Sequence, residues 1–425
     1  MVFRVSRLDK LNQTILLTSK GLAMKRLKRL IINCFVFCIH GYLVPAQNIN
    51  NELVEKLGQV GFENIRVLAN CKTLTLSYEN NIYREKVNAL KEVLNHVTNC
   101  GYDTVNVITL INDLPILLTQ STSVSSQQYL VPQRRTADVV PVSLSYNTYK
   151  EWNQIKHIIP NSPSFNKINL VFYPQFYQMN VIFSQIYELQ FNLAPALEIS
   201  LWRGMRFTGQ VIFPVYNDKL YGAEGDRVRT GFLTLAQEFR LPGSTFGRAV
   251  IGKFNAGRYG TDLTMIHYFS NGKVFLSANA GLTGSYRFFG NRWYRDDLNV
   301  FTWFLKSGYF FKPFQLQFDL VAGRYLNGDY GLRADCSRYW GETVIGFYAM
   351  VAGGHINGGF HFAIPLWPKK LKRNRFFQPR TPGFLDWEYN AATESYFGQY
   401  YETRPDENRT EYFYNPDFIL KNLLK

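Results

Sequence analysis

Three histidines, His267, His355 and His361, fall in the second half of the chain, with Ser307, Ser337, Asp262, Asp319 and Asp335 as candidate companions. A serine beside an imidazole is the minimum of a nucleophilic hydrolase, because the imidazole takes the hydroxyl proton as the oxygen attacks. No pair here has the spacing of a known hydrolase motif. The sequence therefore names no catalytic residue, and the expectation is a chain without enzymatic activity. The glycine-rich pieces Gly252 to Gly260 and Gly353 to Gly359 read as turns and close strand contacts, not phosphate loops. No spacing suits a metal site, and no cofactor is expected.

A second chemistry comes from cations. Arg240, Arg248, Lys253, Arg258, Arg287, Arg333 and Arg338 recur through the same region. Facing a common interior, they would favour an anionic sugar polymer. Paired with Glu188, Glu198, Asp319 and Asp335, they would simply fill that interior. The elements that carry them decide between the two.

Those elements are strands. In YELQFNLAPALEISLW, residues 187–202, apolar side chains hold every odd position from Tyr187 to Leu201, and Glu188, Gln190, Asn192, Glu198 and Ser200 hold even ones. A period of two marks a β-strand with one apolar and one polar face. At about 3.3 Å per residue it would run roughly 50 Å, against a usual strand of about 17–20 Å. Pro195 removes a backbone donor and predicts a bulge or an open ladder there. KVFLSANAGLTGSYRFF, FQLQFDLVAGRYL and GGFHFAIPL alternate in the same way, and less regular segments from VSLSYN onward bring the count to about 12–14 strands over residues 139–367. Asn271-Gly272 and Asn327-Gly328 supply turns.

A soluble sandwich and a membrane barrel both accept such strands. The apolar faces run for about the 9–11 residues that a tilted strand needs to cross a bilayer. Charges sit deep within strands, and aromatic residues gather at strand ends, as girdles at a membrane interface would. The fold class expected is mainly β: a transmembrane antiparallel β-barrel preceded by a small α/β domain in the periplasm. Its edges must pair, because lipid offers backbone amides no partner. The lumen is predicted to be lined by Glu188, Gln190, Asn192, Glu198, Arg287, Gln315, Gln317, Asp319, Arg333 and Asp335.

The chain has 425 residues, of which 46% are hydrophobic and 16% aromatic, with a formal charge of +15. The basic excess gathers before residue 30, which argues against nucleic acid as a partner. MKRLKRLIINCFVFCIHGYLVPAQ has the basic start, short apolar run and Val44-Pro45-Ala46 cleavage pattern of an export signal. Residues 1–23 are then an upstream extension, 24–46 a cleavable signal, 47–120 the α/β domain, 121–138 a linker rich in Ser and Gln, and 368–425 a polar tail. The expected location is a bacterial outer membrane, with the lipid bilayer as one partner. In an oxidising compartment Cys71 and Cys100 could pair; a disulfide and two unpaired thiols both stay open.

Several segments carry a family resemblance. FGRAVIGKFNAGRYGTDL, LRADCSRYWGETVIGFYA and GGFHFAIPL resemble the YjbH family of outer-membrane proteins, through an Arg-Tyr-Gly after a Gly-rich strand, a Ser-Arg-Tyr before a turn and a closing Ile-Pro-Leu. GFENIRV and the SYEN run near the N-terminus add to it. The resemblance implies a part in export or assembly of exopolysaccharide or group 4 capsule. Its implied partners are the surface polysaccharide and other envelope polysaccharide-export proteins. A general porin or solute channel is the first rival, and a soluble secreted glycan-binding sandwich the second.

Overall fold

The computed structural model describes residues 51–70, 72–97, 102–122, 142–180, 187–218, 225–289, 292–374, 376–391, 396–407 and 414–423. The export signal, the upstream extension, Cys71, Cys100 and nearly all of the linker lie outside the described residues.

The small α/β part begins with helix α1 (Asn51–Val60), strands β1 (Glu63–Ala69) and β2 (Thr73–Glu79), helix α2 (Lys86–Val97), and strands β3 (Thr104–Ile111) and β4 (Leu114–Thr122). Val87, Leu90, Val93, Leu94 and Val97 recur three or four apart on α2 and are buried. That apolar stripe covers the sheet and carries the crossover between parallel β2 and β3, which no tight turn could join. Asn112 and Asp113 take φ of 49° and 60°, as a two-residue type I′ hairpin between β3 and β4 requires. Strand β5 (Val142–Ser145) pairs with β4 and closes the order β1-β2-β3-β4-β5. The VSLSYN segment, expected to open the barrel, therefore belongs to the small sheet. Four residues of alternation cannot declare which sheet they join. Helix α3 (Tyr149–Ile155) follows, and Trp152 and Ile155 pack it beneath Ile108, Leu110 and Leu118.

The large sheet then runs as one antiparallel meander: β6 (Ile168–Asn180), β7 (Tyr187–Trp202), β8 (Met205–Asn217), β9 (Arg229–Leu241), β10 (Thr245–Lys253), β11 (Arg258–Phe269) and β12 (Val274–Phe289). After a short β13 (Arg292–Arg295) on the end of β12 come β14 (Val300–Phe311), β15 (Leu316–Arg324), β16 (Tyr330–Trp340), β17 (Thr343–Ala352) and β18 (His355–Pro365). The alternating stretch at 187–202 is β7, end to end. No bulge falls at Pro195, which pairs with Phe172 of β6, but the ladder to β8 is open there, its rungs passing from Leu193↔Phe213 to Ala196↔Gln210, and its register shifts at Phe191/Asn192 and Ser200/Trp202.

The sheet does not stop at residue 367. Strand β19 (Phe377–Arg380) runs parallel to the start of β6, and after only Thr381 to Gly383 the chain returns as β20 (Phe384–Asn390) against β18. One segment thus lies on both ends of a 15-stranded sheet. No ladder joins β20 to β6 among the described residues, so the sheet is not closed. Asn180 Nδ2 does reach across, donating to Tyr389 Oη and to the Asn390 carbonyl at 3.1 Å each.

Burial in the large sheet runs opposite to that of a water-soluble fold. In β7, Gln190, Asn192 and Glu198 are 0%, 4% and 3% exposed, while Phe191, Leu193 and Leu197 are 45%, 41% and 42% exposed. The same inversion recurs at Leu263 in β11, Leu305 in β14, Leu320 in β15 and Phe347 in β17. Exposed aromatic rings mark both rims: Trp202, Phe269, Phe314 and Trp340 on one, Trp293, Tyr294 and Tyr330 on the other.

The two rims differ. Residues 203–204, 242–244, 270–273, 312–315 and 341–342 make short turns on one rim, whereas 218–228 and 290–299 make the longest connections on the other. The small domain sits on the short-turn rim. Arg84 grips Glu342 through two bonds of 2.7 and 2.6 Å, Arg203 meets Asp113 at 3.0 Å, and Tyr146 stacks on Tyr268 at 4.3 Å.

Candidate functional site

The polar face of the large sheet, the small domain and the C-terminal segment enclose a cavity of about 1060 Å³. Two groups of side chains dominate its walls.

The first lies on β14 to β18 and β20. Register places Asp319 opposite Asp335, so two carboxylates face each other across β15 and β16. Such a pair needs cations, and it has them. Lys306 approaches Asp319 at 3.0 Å, and Gln317 donates to the same carboxylate at 2.7 Å. The Arg333 guanidinium forks onto Asp335 at 2.8 and 2.9 Å and onto Glu388 at 2.9 and 2.7 Å, with the Tyr348 ring 3.8 Å from its carbon. Bidentate pairs of this kind are the strong ones.

His361 and Ser337 border this group, both buried. Ser337 Oγ and Asp335 Oδ1 each lie 3.4 Å from His361 Nε2. In a relay the serine and the carboxylate take opposite ring nitrogens, so that one orients the imidazole while the other gives up its proton. Here both fall on one nitrogen, and the trio does not have relay geometry. Among the described residues no three His, Cys, Asp or Glu side chains gather as metal ligands.

The second group is built by the C-terminal segment, which the sequence reading left outside the barrel as a polar tail. It runs through the interior. Phe397 stacks on His355 at the long-connection rim, and the Gln399 carbonyl accepts from Leu326 N–H at 3.0 Å. The Tyr401 ring then lies flat on Phe254, with centroids 5.2 Å apart, and its hydroxyl donates to Asp262 at 2.9 Å. Glu402 accepts from Asn255 at 2.9 Å, and Asp406 meets Arg206 through two contacts of 3.2 Å. By Tyr414 to Leu423 the chain is at the opposite rim, where helix α4 (Pro416–Leu423) packs Phe418 and Ile419 into the small domain's core and Lys312 binds Asp417 at 2.9 Å.

Gln190, Asn192, Glu198, Gln317, Asp319, Arg333 and Asp335 thus all lie on the inward face, and Glu188 is half-buried at one end of β7. Two of the lumen assignments are corrected. Arg287 is exposed, because it lies where β12 outruns the sheet and pairs only with β13, opposite Tyr294. Gln315 is buried in the turn after β14, in a left-handed conformation (φ 53°), and not on a strand. Among the other cations, Arg338 is exposed beside Trp340, and Arg240 is spent on backbone carbonyls, including that of Pro115 at 2.7 Å. Glu198 accepts from the Tyr173 hydroxyl at 2.6 Å and lies 3.5 Å from Arg380. The sequence reading missed Glu388, Arg206, Arg380, Tyr401 and Asp406. For Glu388 the signal was present: LDWEYN alternates, with Leu385, Trp387 and Tyr389 opposite Asp386 and Glu388.

The small domain contributes two ionisable groups to the cavity, Glu79 buried and Lys86 half-buried. Burial holds the Glu79 carboxyl above its usual range despite backbone donors at Asn112 and Asp113. Burial likewise pushes the Lys86 ammonium, beside the Tyr414 ring, down to about 8.

No family model matches the chain. No curated protein matches it either. Among solved structures it is similar to OmpT, an outer membrane protein of Vibrio cholerae, in an in-vitro folded form and in a mutant lacking loop L8. Each is 9% identical over 46% of this chain, covers 80% and 86% of its own length respectively, and has a TM-score of 0.25. With OmpT structures as neighbours, the expectation of a chain without enzymatic activity is withdrawn; so distant a likeness assigns no activity in its place.

Proposed function

We propose that this chain is an outer-membrane β-barrel protein, exported through a cleavable signal, that takes part in export or assembly of a surface polysaccharide as its YjbH resemblance implies. The observation that carries the membrane reading is the inverted burial of β7, where Gln190 is 0% and Phe191 45% exposed. Water would make a sheet with that outer face associate or aggregate, whereas lipid solvates it. An open edge is not tolerated in lipid, and the β19–β20 segment, on β6 at one end and on β18 at the other, is the part of the chain placed to cover both edges. The small domain then lies in the periplasm, at the short-turn rim, where the partner export proteins would dock. A freely open porin is the weaker reading, because C-terminal residues from Phe397 to Asp406 lie against the inner wall of the sheet.

The polysaccharide reading rests on the resemblance and on an interior of tyrosines and paired charges suited to hydroxylated, charged sugars. An epitope-tagged copy is expected in the outer-membrane fraction, with a gel mobility that changes on boiling, and deletion of the gene is expected to lower cell-surface polysaccharide. A soluble, heat-insensitive band would end the membrane reading. Unchanged surface polysaccharide in the deletion strain would end the export reading and leave the barrel standing.

A further inference from the structure

Strand register aligns a row of inward positions across the strands: Arg206 on β8, Ala236 on β9, Val250 on β10, Asp262 on β11, Gly281 on β12 and Thr302 on β14. Small or short side chains between Arg206 and Asp262 leave a trough across the strands. The C-terminal segment fills it. A Cβ at Gly281 would run into the Tyr401 hydroxyl, so the trough is fitted to that side chain.

The contacts are those a sugar would use. Tyr401 presents a ring face to Phe254, with only 5° between the planes, and a hydroxyl to the Asp262 carboxylate. Asp406 presents a carboxylate to the two terminal nitrogens of Arg206. Glu407 stands 3.9 Å from Arg248, and the Arg248 Nε is buried with no hydrogen-bond partner among the described residues. Buried donors are nearly always satisfied, so an orphan guanidinium nitrogen in a trough argues for an acceptor other than the one now present. Besides Asp406, the carboxylates near Arg206 are Glu198, itself 3.5 Å from Arg380, and Glu238.

We propose that this trough is a binding groove for an acidic sugar chain, with residues Tyr400 to Glu407 as its resident competitor. Phe254 takes the face of a pyranose ring, Asp262 accepts one of its hydroxyls, and Arg206 with Arg248 takes a uronate carboxylate. A planar carboxylate matches the bidentate contact that Asp406 makes. The inference rests on the membrane and polysaccharide reading above and names the chemistry of the ligand.

The test uses the full chain in detergent and titrates trigalacturonate calorimetrically, with maltotriose and inorganic phosphate as controls. The variant Tyr401→Ala/Asp406→Asn/Glu407→Gln removes the side chains that fill the trough, and cleavage at Glu402 by a Glu-specific protease reports that the segment has left. The variant is expected to bind trigalacturonate at least about tenfold more tightly than the parent, and adding Arg206→Gln/Arg248→Gln is expected to abolish the gain. Maltotriose is expected to bind neither. The proposal is overturned if the released variant gains no affinity, if the gain survives loss of both arginines, if phosphate competes equally with trigalacturonate, or if Glu402 stays protected. Heat-modified mobility of the same preparations reports the barrel separately, so a folded protein that fails to bind removes the groove alone.

Discussion

Replacing Leu263 with arginine separates lipid from water on the outer face most sharply. Leu263 is 45% exposed and lies five residues from one end of β11 and six from the other. At about 3.3 Å per residue and a tilt near 40°, that places it roughly 13–15 Å from either edge of an apolar band about 25 Å tall, near its middle. In water, a substitution at a half-exposed position away from caps and buried pairs changes stability by about 0.5 kcal/mol or less. In a bilayer, an arginine at mid-depth costs about 2–4 kcal/mol, falling to about 0–1 kcal/mol near the interface. The prediction is a gradient: Leu263→Arg and Leu305→Arg costly, Phe269→Arg at the rim nearly neutral. Urea unfolding of protein folded into phosphatidylcholine vesicles, followed by tryptophan fluorescence, gives the three values. Equal, small effects at all three positions would refute lipid contact.

Other residues give further expectations. Arg66 and Asp113 form a pair 2.6 Å apart with side chains 2% and 1% exposed, so Arg66→Met should cost up to about 3 kcal/mol in urea unfolding, Arg203 keeping one bond to the carboxylate, while Arg66→Met/Asp113→Asn, which keeps a residue that tolerates the φ of 60°, should cost less. Lys86, held near 8 by burial, binds its proton less tightly folded than unfolded; the small domain should therefore gain stability as pH rises from about 8 to about 10.5, and Lys86→Met should flatten that rise in hydrogen-exchange or denaturant midpoints. Gly281→Ala should displace Tyr401 and raise protease cleavage at Glu402, and adding Tyr401→Phe, which removes the clashing hydroxyl, should restore protection.

Much of the large sheet was readable because its two faces differ. Where one face of a strand is apolar and exposed and the other polar and buried, the period of two survives in the sequence, and β7 could be delimited to the residue. The asparagine-glycine turn at 271–272 was legible for a backbone reason, since Asn271 takes φ of 56° and Gly272 88°. What stayed hidden was pairing. The short VSLS carries no mark of its partner, and Arg287 alternates correctly yet lies beyond the last rung shared with β14. The tail was harder still. YFGQYYETRPDE has no period because it forms no strand; its side chains answer different positions on the wall, Tyr401 to Gly281 and Asp406 to Arg206. Such complementarity exists only between distant segments, and a single sequence does not display it.

The central claim is that the odd-numbered residues of the 187–202 strand face lipid and the even-numbered ones an interior. Nitroxide labels at Leu193→Cys and Asn192→Cys, each in a cysteine-free background folded into vesicles, test it directly through collision rates with oxygen and with a water-soluble nickel chelate. The account predicts high oxygen and low nickel accessibility at 193, with low oxygen accessibility at 192. Nickel accessibility at 193 equal to that of a label in free solution would contradict it, and the apolar face of β7 would then have to be covered by protein.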